Sequence, residues 1–424
     1  MSQACGHDRL TFESSTFLQH TDYARPNEQA RQTAATVDSR TQTTKHIAGA
    51  FCAPLILPGD DLAEDPEYPA QSLKEWLDDE DRNEVQPARK TLYVVPPPTL
   101  DSSASFIAPW SQPDSKYDSG PTGMEPPNVN DIGDYLRAFY HGLPVKVLPS
   151  STLRLATWDG NKSKTPRFVG LQTASECIRI RTRASKDHVF ARQLNLDDLL
   201  DVAISILPQD AFALLMLVPY DIYESPEDDF ACGRAYGGSR VAVISTARYH
   251  PGLDAHMGVP RVHGWPASHC VDYLEACCAE ADGDAPPAKK KKKTAGGNSR
   301  DTGDSPLHAA VAAHKALPSL EDAPSQEALS ALWLGRACRT SSHELGHCVG
   351  IDHCVYYACV MQGTSSLKED ARQPPFLCPV DLAKVLRATG SSREELYRAL
   401  LAFCEKHSDG HLFVAFKAWL EAQL

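Results

Sequence analysis

The chain has 424 residues, of which 42% are apolar, so it can hold one large domain with insertions or two smaller ones. Its formal charge of −13 argues against a general binder of nucleic acid or of anionic membranes, because both need clustered positive charge.

The thirteen cysteines are scattered, and the first residues show neither a basic segment nor an apolar one typical of a secretory leader. Reduced thiols and metal ligands therefore explain the cysteines better than a disulfide framework does. No run of 18 apolar residues predicts a membrane helix. We expect an intracellular, cytoplasmic protein with no membrane partner and no nucleic-acid partner.

The first half of the chain predicts alternating strands and helices after a disordered start. Residues 1–45 are rich in Ser, Thr, Gln and charge without periodicity, which predicts a disordered N-terminal region. Ser72 and Glu75 have the spacing of a capping box that opens a short helix. The next predicted elements are a strand at 91–96, a helix at 131–141 and a strand at 145–148.

Three further segments complete the predicted sheet. Residues 195–207 begin with a capping Asn195 and carry apolar residues at helical spacing. Residues 212–218 are nearly all apolar, as in a central strand that is covered on both faces. Residues 240–249 predict the last strand before a long helix. The pattern indicates a mixed α/β fold (α+β) with a twisted, mixed β-sheet.

Residues 251–325 interrupt this pattern and contain five consecutive lysines, Lys289 to Lys293, between helix breakers. Such a run is typical of a solvated, disordered insertion, and we predict a disordered low-complexity insertion here. The alternatives are a nuclear localisation signal, which would add a nuclear location, or a patch that binds an anionic surface. We expect residues 46–424 to form one catalytic domain around the insertion.

The segment that follows carries the residues with the clearest chemistry. His343 and His347 are four residues apart, so on a helix both imidazoles lie on one face and can bind one metal ion. Glu344 projects beside them and can reach a metal-bound water as general base. Gly350 favours a turn after the helix, and the turn lets His353 come in as a third ligand.

Three neutral imidazoles leave a zinc ion its full charge and one open position for water. The predicted function is therefore that of a zinc-dependent metallopeptidase. Zinc-bound water would act as nucleophile on the peptide bond and Glu344 as general base. Its partner would be a peptide or protein substrate. Cleavage at an N-terminus and cleavage within a chain remain alternatives, as does a zinc-stabilised interaction protein without turnover.

The set His343, Glu344, His347, Gly350 and His353 reads HExxHxxGxxH, the zinc-binding pattern of the metzincin peptidases. Beyond it the sequence supplies Cys354, Cys359, Met361 and Cys378 in an order that resembles the archaemetzincins, a metzincin-like family. The resemblance implies a metzincin-like zinc peptidase domain with an active-site helix, a Met-turn at Met361 beneath the metal and a helical C-terminal part.

The cysteines predict a second, structural zinc held by Cys354, Cys359 and Cys378, because nearby thiolates in a reducing compartment favour zinc. The family's pattern ends in a fourth cysteine, whereas this chain has Asp381 at that position. Asp381 is one candidate for the fourth ligand. Water and Cys348 are the others, and a site without metal is a further alternative.

The resemblance also implies an edge strand above the metal helix that binds extended substrate by strand addition. Residues 241–246 are the candidate, with an ordinary sheet strand as the alternative. His407 and His411 are also four residues apart, but Gly410 lies between them and no acid follows in register. We expect these two histidines to lie on the surface. The sequence does not indicate the oligomeric state.

Overall fold

The computed structural model describes residues 6–37, 49–160, 163–282 and 305–424. Its strands are β1 (Thr91–Val95), β2 (Thr99–Leu100), β3 (Val145–Val147), β4 (Arg154–Thr157), β5 (Phe168–Gln172), β6 (Cys177–Arg183), β7 (Gln193–Asn195), β8 (Ala211–Val218), β9 (Ile222–Tyr223), β10 (Gly233–Tyr236) and β11 (Val241–Ser245).

The helices alternate with these strands and then follow them towards the C-terminus. They are α1 (Glu28–Ala34), α2 (Asp61–Glu64), α3 (Leu73–Asp78), α4 (Val129–Phe139), α5 (Leu196–Ser205), α6 (Asp254–Met257), α7 (Val271–Asp282), α8 (Pro306–Lys315), α9 (Gln326–Cys348), α10 (Leu367–Arg372), α11 (Pro379–Thr389), α12 (Arg393–Lys406) and α13 (His411–Glu421).

A five-stranded central sheet has the order β10-β11-β8-β1-β3. Neighbours among β3, β1, β8 and β11 pair in parallel, and β10 alone runs antiparallel at one edge. A second, mixed sheet has the order β2-β4-β5-β6-β7-β9. Mixed sheets combined with helices confirm the predicted mixed α/β fold.

The central sheet is buried on both faces because β8 is apolar throughout. Leu215 and Leu217 point to a helical layer that includes residues of α4, α9, α12 and α13. Leu214 and Met216 point to the other layer, formed by α5 and the second sheet. Successive residues of a strand face opposite sides, so a strand that is covered on both faces needs apolar residues at every position. The predicted central strand is therefore confirmed.

Helix α9 spans 23 residues and packs against β10, β11, α4 and α13. The Ser325 side chain accepts a hydrogen bond from the Ala328 amide and caps its first turn. Gly350, with φ of +85°, follows its last turn and reverses the chain, as the sequence predicts. The predicted capping box of Ser72 and Glu75 is likewise present on α3.

The N-terminal prediction of disorder is wrong for residues 6–37. This stretch contains a 3-10 turn at Thr16–His20 and helix α1. Leu10 and Tyr23 are buried, and the Tyr23 hydroxyl donates to the Val355 carbonyl at 2.5 Å. The contacts that bury this segment involve residues far away in the sequence, such as Val355, so local hydrophobic periodicity does not predict them.

The disordered insertion is also a wrong prediction for much of its length. Residues 251–282 include α6 and α7, and α8 follows residue 305 and packs against α13. Leu307, Ala310 and Val311 of α8 are buried. Lys289 to Lys293 lie outside the described residues, so their prediction stands as made.

The C-terminal part is helical, as predicted, and its aromatic residues are buried. His411, however, does not lie on the surface. It is 5% exposed, and its Nε2 lies 2.8 Å from the Pro318 carbonyl oxygen. The chain before α9 covers the histidine, a contact that local spacing does not predict.

Candidate metal centres

The imidazoles of His343, His347 and His353 converge at the C-terminal end of α9. Their ligand nitrogens all lie within 4.8 Å of one another. The Nε2 atoms of His343 and His347 are 3.1 Å apart because four residues make about one helical turn. Gly350 lets the chain double back so that His353 reaches the same point.

The other ring nitrogens of the two helical histidines are already engaged. Nδ1 of His343 lies 2.7 Å from the Val360 carbonyl oxygen, and Nδ1 of His347 lies 2.7 Å from that of Ile351. A carbonyl accepts a proton donor, so Nδ1 carries the hydrogen and Nε2 keeps its lone pair. Burial lowers the pKa of His347 to about 4 and so favours the neutral ring. This donor set fits a zinc ion.

Glu344 follows His343 on α9 and is 7% exposed. Burial raises the pKa of its carboxyl to about 8, and the positive charge of Arg234 opposes that rise. A Cβ atom at Gly233 of β10 would lie 3.0 Å from Glu344 Oε1. The carboxyl group therefore sits directly beneath the edge strand, beside the three imidazoles.

Met361 lies beneath the turn of α9 that carries His347. It is fully buried, and a Cβ atom at Gly346 would collide with its sulfur and terminal methyl group. The absence of a side chain at Gly346 thus allows the methionine to pack directly against the helix backbone. Val360, the residue before it, supplies the carbonyl that orients His343.

Two cavities adjoin the histidine cluster. Their volumes are about 510 Å³ and about 620 Å³. Both cavities are lined by Gly233, His343, Glu344 and His353. A chain of several residues can therefore lie across the cluster, in a space within the size range of ligand sites.

The edge strand above these cavities is β10, and the candidate at 241–246 is wrong in its position. Residues 241–245 form β11, which is buried between β8 and β10. The four residues of β10 are exposed or half-buried, and the described strands pair with only one of its edges. The short, polar sequence of β10 carries little strand signal, which is why sequence reasoning selected its apolar neighbour.

A second group of donor atoms lies after α9. Cys354, Cys359, Cys378 and Asp381 are all buried, and their ligand atoms lie within 4.8 Å of one another. The Sγ atoms of Cys354 and Cys378 are 3.6 Å apart. Asp381 Oδ2 lies 3.3 Å from Cys378 Sγ and 3.5 Å from Cys359 Sγ. Among the residues described here, Cys348 is not part of this group.

The electrostatics of the second group favour a bound cation. Burial and, to a smaller extent, the nearby Cys354 raise the pKa of Asp381 to about 7, against the opposing effect of Lys384. Burial would also raise the pKa of Cys354, but hydrogen bonds from Cys359 and Cys378 lower it well below its ordinary value. Crowded, buried thiols and a carboxyl need a positive charge in order to ionise together.

Sequence reasoning missed two residues beside this group. Lys384 lies one helical turn after Asp381, and its Nζ is 2.9 Å from Asp381 Oδ1. The same Nζ is 2.9 Å from Oε1 of Gln71. The three-residue spacing on α11 could have indicated Lys384. Nothing local could have indicated Gln71, which comes from the chain before α3.

The described helices include none that is both long and apolar enough to span a bilayer.

The chain resembles known proteins both at the level of a family and at the level of individual relatives. The sequence profile of Peptidase family M54 matches residues 318–387, which include both groups of donor residues. The chain is 25% identical over 353 residues to Archaemetzincin-2 of Macaca fascicularis, an alignment that covers 83% of this chain and 74% of the relative. Archaemetzincin-2 of Homo sapiens is 25% identical over 351 residues, with 83% and 73% covered.

Archaemetzincin-1 of Homo sapiens is 27% identical over 268 residues, which cover 63% of this chain and 41% of that protein. Among solved structures, archaemetzincin from Methanopyrus kandleri superposes with a TM-score of 0.34 at 18% identity, over 72% of this chain and 99% of the other. The profile match across the donor residues and the long alignments to Archaemetzincin-2 agree with each other. The chain is similar to the archaemetzincins, zinc metallopeptidases of Peptidase family M54, both in the profile match and in the alignments to individual relatives.

Proposed function

We propose that the chain hydrolyses peptide bonds at a zinc ion held by His343, His347 and His353, with Glu344 as general base. The observation that carries this proposal is the convergence of three ring nitrogens beside a buried carboxyl group, at the centre of a cleft. Such a set matches what metal-assisted hydrolysis needs. Zinc at this point supplies a Lewis acid, which makes water acidic and polarises a carbonyl.

The protein's own residues prepare this chemistry. The carbonyls of Val360 and Ile351 hold the two helical imidazoles in one tautomer, so that their Nε2 lone pairs face the same point. The rigid helix α9 fixes their separation. A site built on a packed helix keeps its geometry better than one on a mobile loop.

Glu344 moves the protons. Its carboxylate takes a proton from the water that attacks the scissile carbonyl, and returns it to the departing amine nitrogen. Burial raises the pKa of Glu344, whereas Arg234 and a cation at the imidazoles favour the carboxylate. These opposing effects keep the group able to accept and release a proton near neutral pH.

The substrate is a peptide segment in extended conformation. We propose that it pairs with the outer edge of β10, which passes directly over Glu344. Gly233 allows the strand to approach the carboxyl group closely. The two cavities that adjoin the histidine cluster leave room for residues before and after the scissile bond.

Cys354, Cys359, Cys378 and Asp381 are proposed to hold a second, structural zinc ion. The buried thiols and carboxyl lie at mutual distances that suit tetrahedral ligands. This metal would tie the segment after His353 to α11. We also propose that residues 46–424 form a single catalytic domain, against which the segment 6–37 packs.

The test is metal analysis combined with cleavage of a peptide library by the wild type and by Glu344→Gln. We expect zinc in both proteins and cleavage by the wild type alone, because the amide cannot take the proton. Asp381→Ala should lower the metal content by one equivalent while His343→Ala removes the other. A wild type that binds zinc and cleaves nothing that Glu344→Gln spares contradicts the peptidase proposal.

A further inference from the structure

The carboxylate of Asp381 divides its two oxygens between different partners. Oδ2 faces the sulfurs of Cys378 and Cys359, at 3.3 Å and 3.5 Å. Oδ1 accepts a hydrogen bond from Lys384 Nζ at 2.9 Å. Both side chains are almost fully enclosed, with exposures of 1% for Asp381 and 2% for Lys384. Only Oδ2 is left to act as a ligand.

Lys384 is held on its other side by Gln71, whose Oε1 lies 2.9 Å from Nζ. Gln71 in turn contacts the turn that ends α9. Its Nε2 donates to the Gly350 carbonyl at 3.0 Å, and its Oε1 accepts from the Asp352 amide at 3.2 Å. Asp352 directly precedes His353. An unbroken set of hydrogen bonds therefore joins the second donor group to the turn that carries the third histidine.

We propose that Lys384 is a positioning residue shared by both metal centres. It fixes Asp381 as a ligand through one oxygen, and through Gln71 it holds the turn that presents His353. The inference rests on the proposed second zinc site. It assigns a role to Lys384 and Gln71, which lie outside both sets of metal ligands. Gln71 comes from a segment far before α9.

Charge balance supports this role. Three thiolates and one carboxylate carry more negative charge than one zinc ion neutralises, and all of them are buried. The ammonium group of Lys384 offsets part of the excess. A lysine enclosed to this degree is stable only when its donors are satisfied, and Asp381 and Gln71 provide two acceptors.

The first experiment compares Lys384→Met with Lys74→Met in the full-length protein. Lys74 is exposed and pairs with Asp78 on α3, so its loss is the matched control. Each protein is stripped of metal and titrated with Co²⁺, whose sulfur-to-cobalt charge-transfer absorption reports the cysteine site alone. Zn²⁺ competition against a chelator then gives both affinities. We expect Lys384→Met to bind metal at the cysteine site about 10- to 100-fold more weakly than the control.

The second experiment uses Gln71→Ala, which leaves Lys384 bound to Asp381. We expect its charge-transfer absorption to match the wild type while the histidine site loses about tenfold in Zn²⁺ affinity, because the His353 turn has lost its anchor. This variant decides the question if Lys384→Met fails to fold. An unchanged histidine-site affinity in Gln71→Ala overturns the link between the centres.

Two other results bear on the proposals separately. If the wild type shows no charge-transfer absorption, the second site and the role of Lys384 both fail, while the histidine centre and the peptidase proposal are unaffected. If the wild type binds two metal ions and Lys384→Met matches Lys74→Met, the positioning role is wrong and the second site stands.

Discussion

Gly233 of β10 and Glu344 of α9 are in such close contact that a Cβ atom at position 233 would lie 3.0 Å from Glu344 Oε1. The same atom would lie 3.0 Å from Ile244 Cγ2 and 3.1 Å from the Val243 carbonyl oxygen. No larger residue fits here without a shift of the strand or of the carboxyl group. The separation between the edge strand and the Glu344 carboxyl group is therefore set by the absence of a side chain at position 233.

Gly233→Ala should lower kcat/KM by about 10- to 100-fold, since small misplacements of a catalytic group are costly. Its thermal stability should change little, because β10 lies at the sheet edge. Peptide cleavage and thermal melts of the variant give both quantities. Gly238→Ala is the control, because nothing lies within 4 Å of a Cβ atom at that position. Equal activities of the two variants would contradict the predicted role of the contact.

Gly346→Ala should disturb the metal helix from the opposite side. The new methyl group would collide with Met361, which is fully buried and cannot move into solvent. Overpacking of this kind costs about 1–3 kcal/mol, and it should also weaken zinc binding by shifting His347. Denaturant unfolding and chelator competition measure the two effects. The double variant Gly346→Ala with Met361→Ala, which removes the colliding atoms, should recover much of the zinc affinity.

His269 should make the protein less stable in acid. The ring is 1% exposed, and its Nε2 lies 3.2 Å from the Ala53 carbonyl oxygen. Burial lowers its pKa from 6.5 to about 4. Between these values the unfolded chain binds a proton that the folded chain does not, so folding stability falls as the pH drops from 6.5 towards 4. The contribution lost is about 3 kcal/mol at most.

Urea unfolding at several pH values between about 7 and 4.5 checks this prediction. The wild type should lose stability steadily over this range, and His269→Gln should show a shallower slope whatever its stability at neutral pH. Parallel slopes for the two proteins would show that another group controls the acid sensitivity.

Tyr23→Phe should loosen the segment between Cys354 and Cys359, within the second group of donor residues. The variant leaves the Val355 carbonyl without the hydroxyl that donates to it at 2.5 Å. An unsatisfied buried carbonyl costs about 1–3 kcal/mol. Hydrogen exchange of the segment after His353 and denaturant unfolding should both report the loss. Tyr117→Phe, which removes a longer 3.4 Å contact in a partly exposed position, should be nearly neutral by both measures.

The elements that sequence reasoning predicted correctly are those whose signal is local. The eight apolar residues of β8, the Asn195 cap of α5 and the capping box of α3 each depend on neighbours within a few positions. Such patterns act through periodicity and short hydrogen bonds, which the chain order itself contains.

The failed predictions involve long-range contacts. The sequences around Tyr23 and in α8 carry no local signal of ordered structure. Tyr23 is held by its hydrogen bond to Val355, and α8 is held by its packing against α13. Strand β10 is too short and polar to be recognised alone. It is a strand because β11 offers it an edge, and β11 is not the edge because β8 lies on its other side.

The residues of the candidate site likewise separate into those indicated by local spacing and those brought together only by long-range contacts. The sequence alone determined His343, Glu344, His347, Gly350 and His353 as one chemical set, because helical geometry converts their spacing into proximity. Only the tertiary structure decided that Asp381 meets three cysteines, that Lys384 contacts both Asp381 and Gln71, and that β10 covers Glu344. Those relationships depend on how separate elements pack, and packing partners are chosen by the whole fold rather than by local spacing.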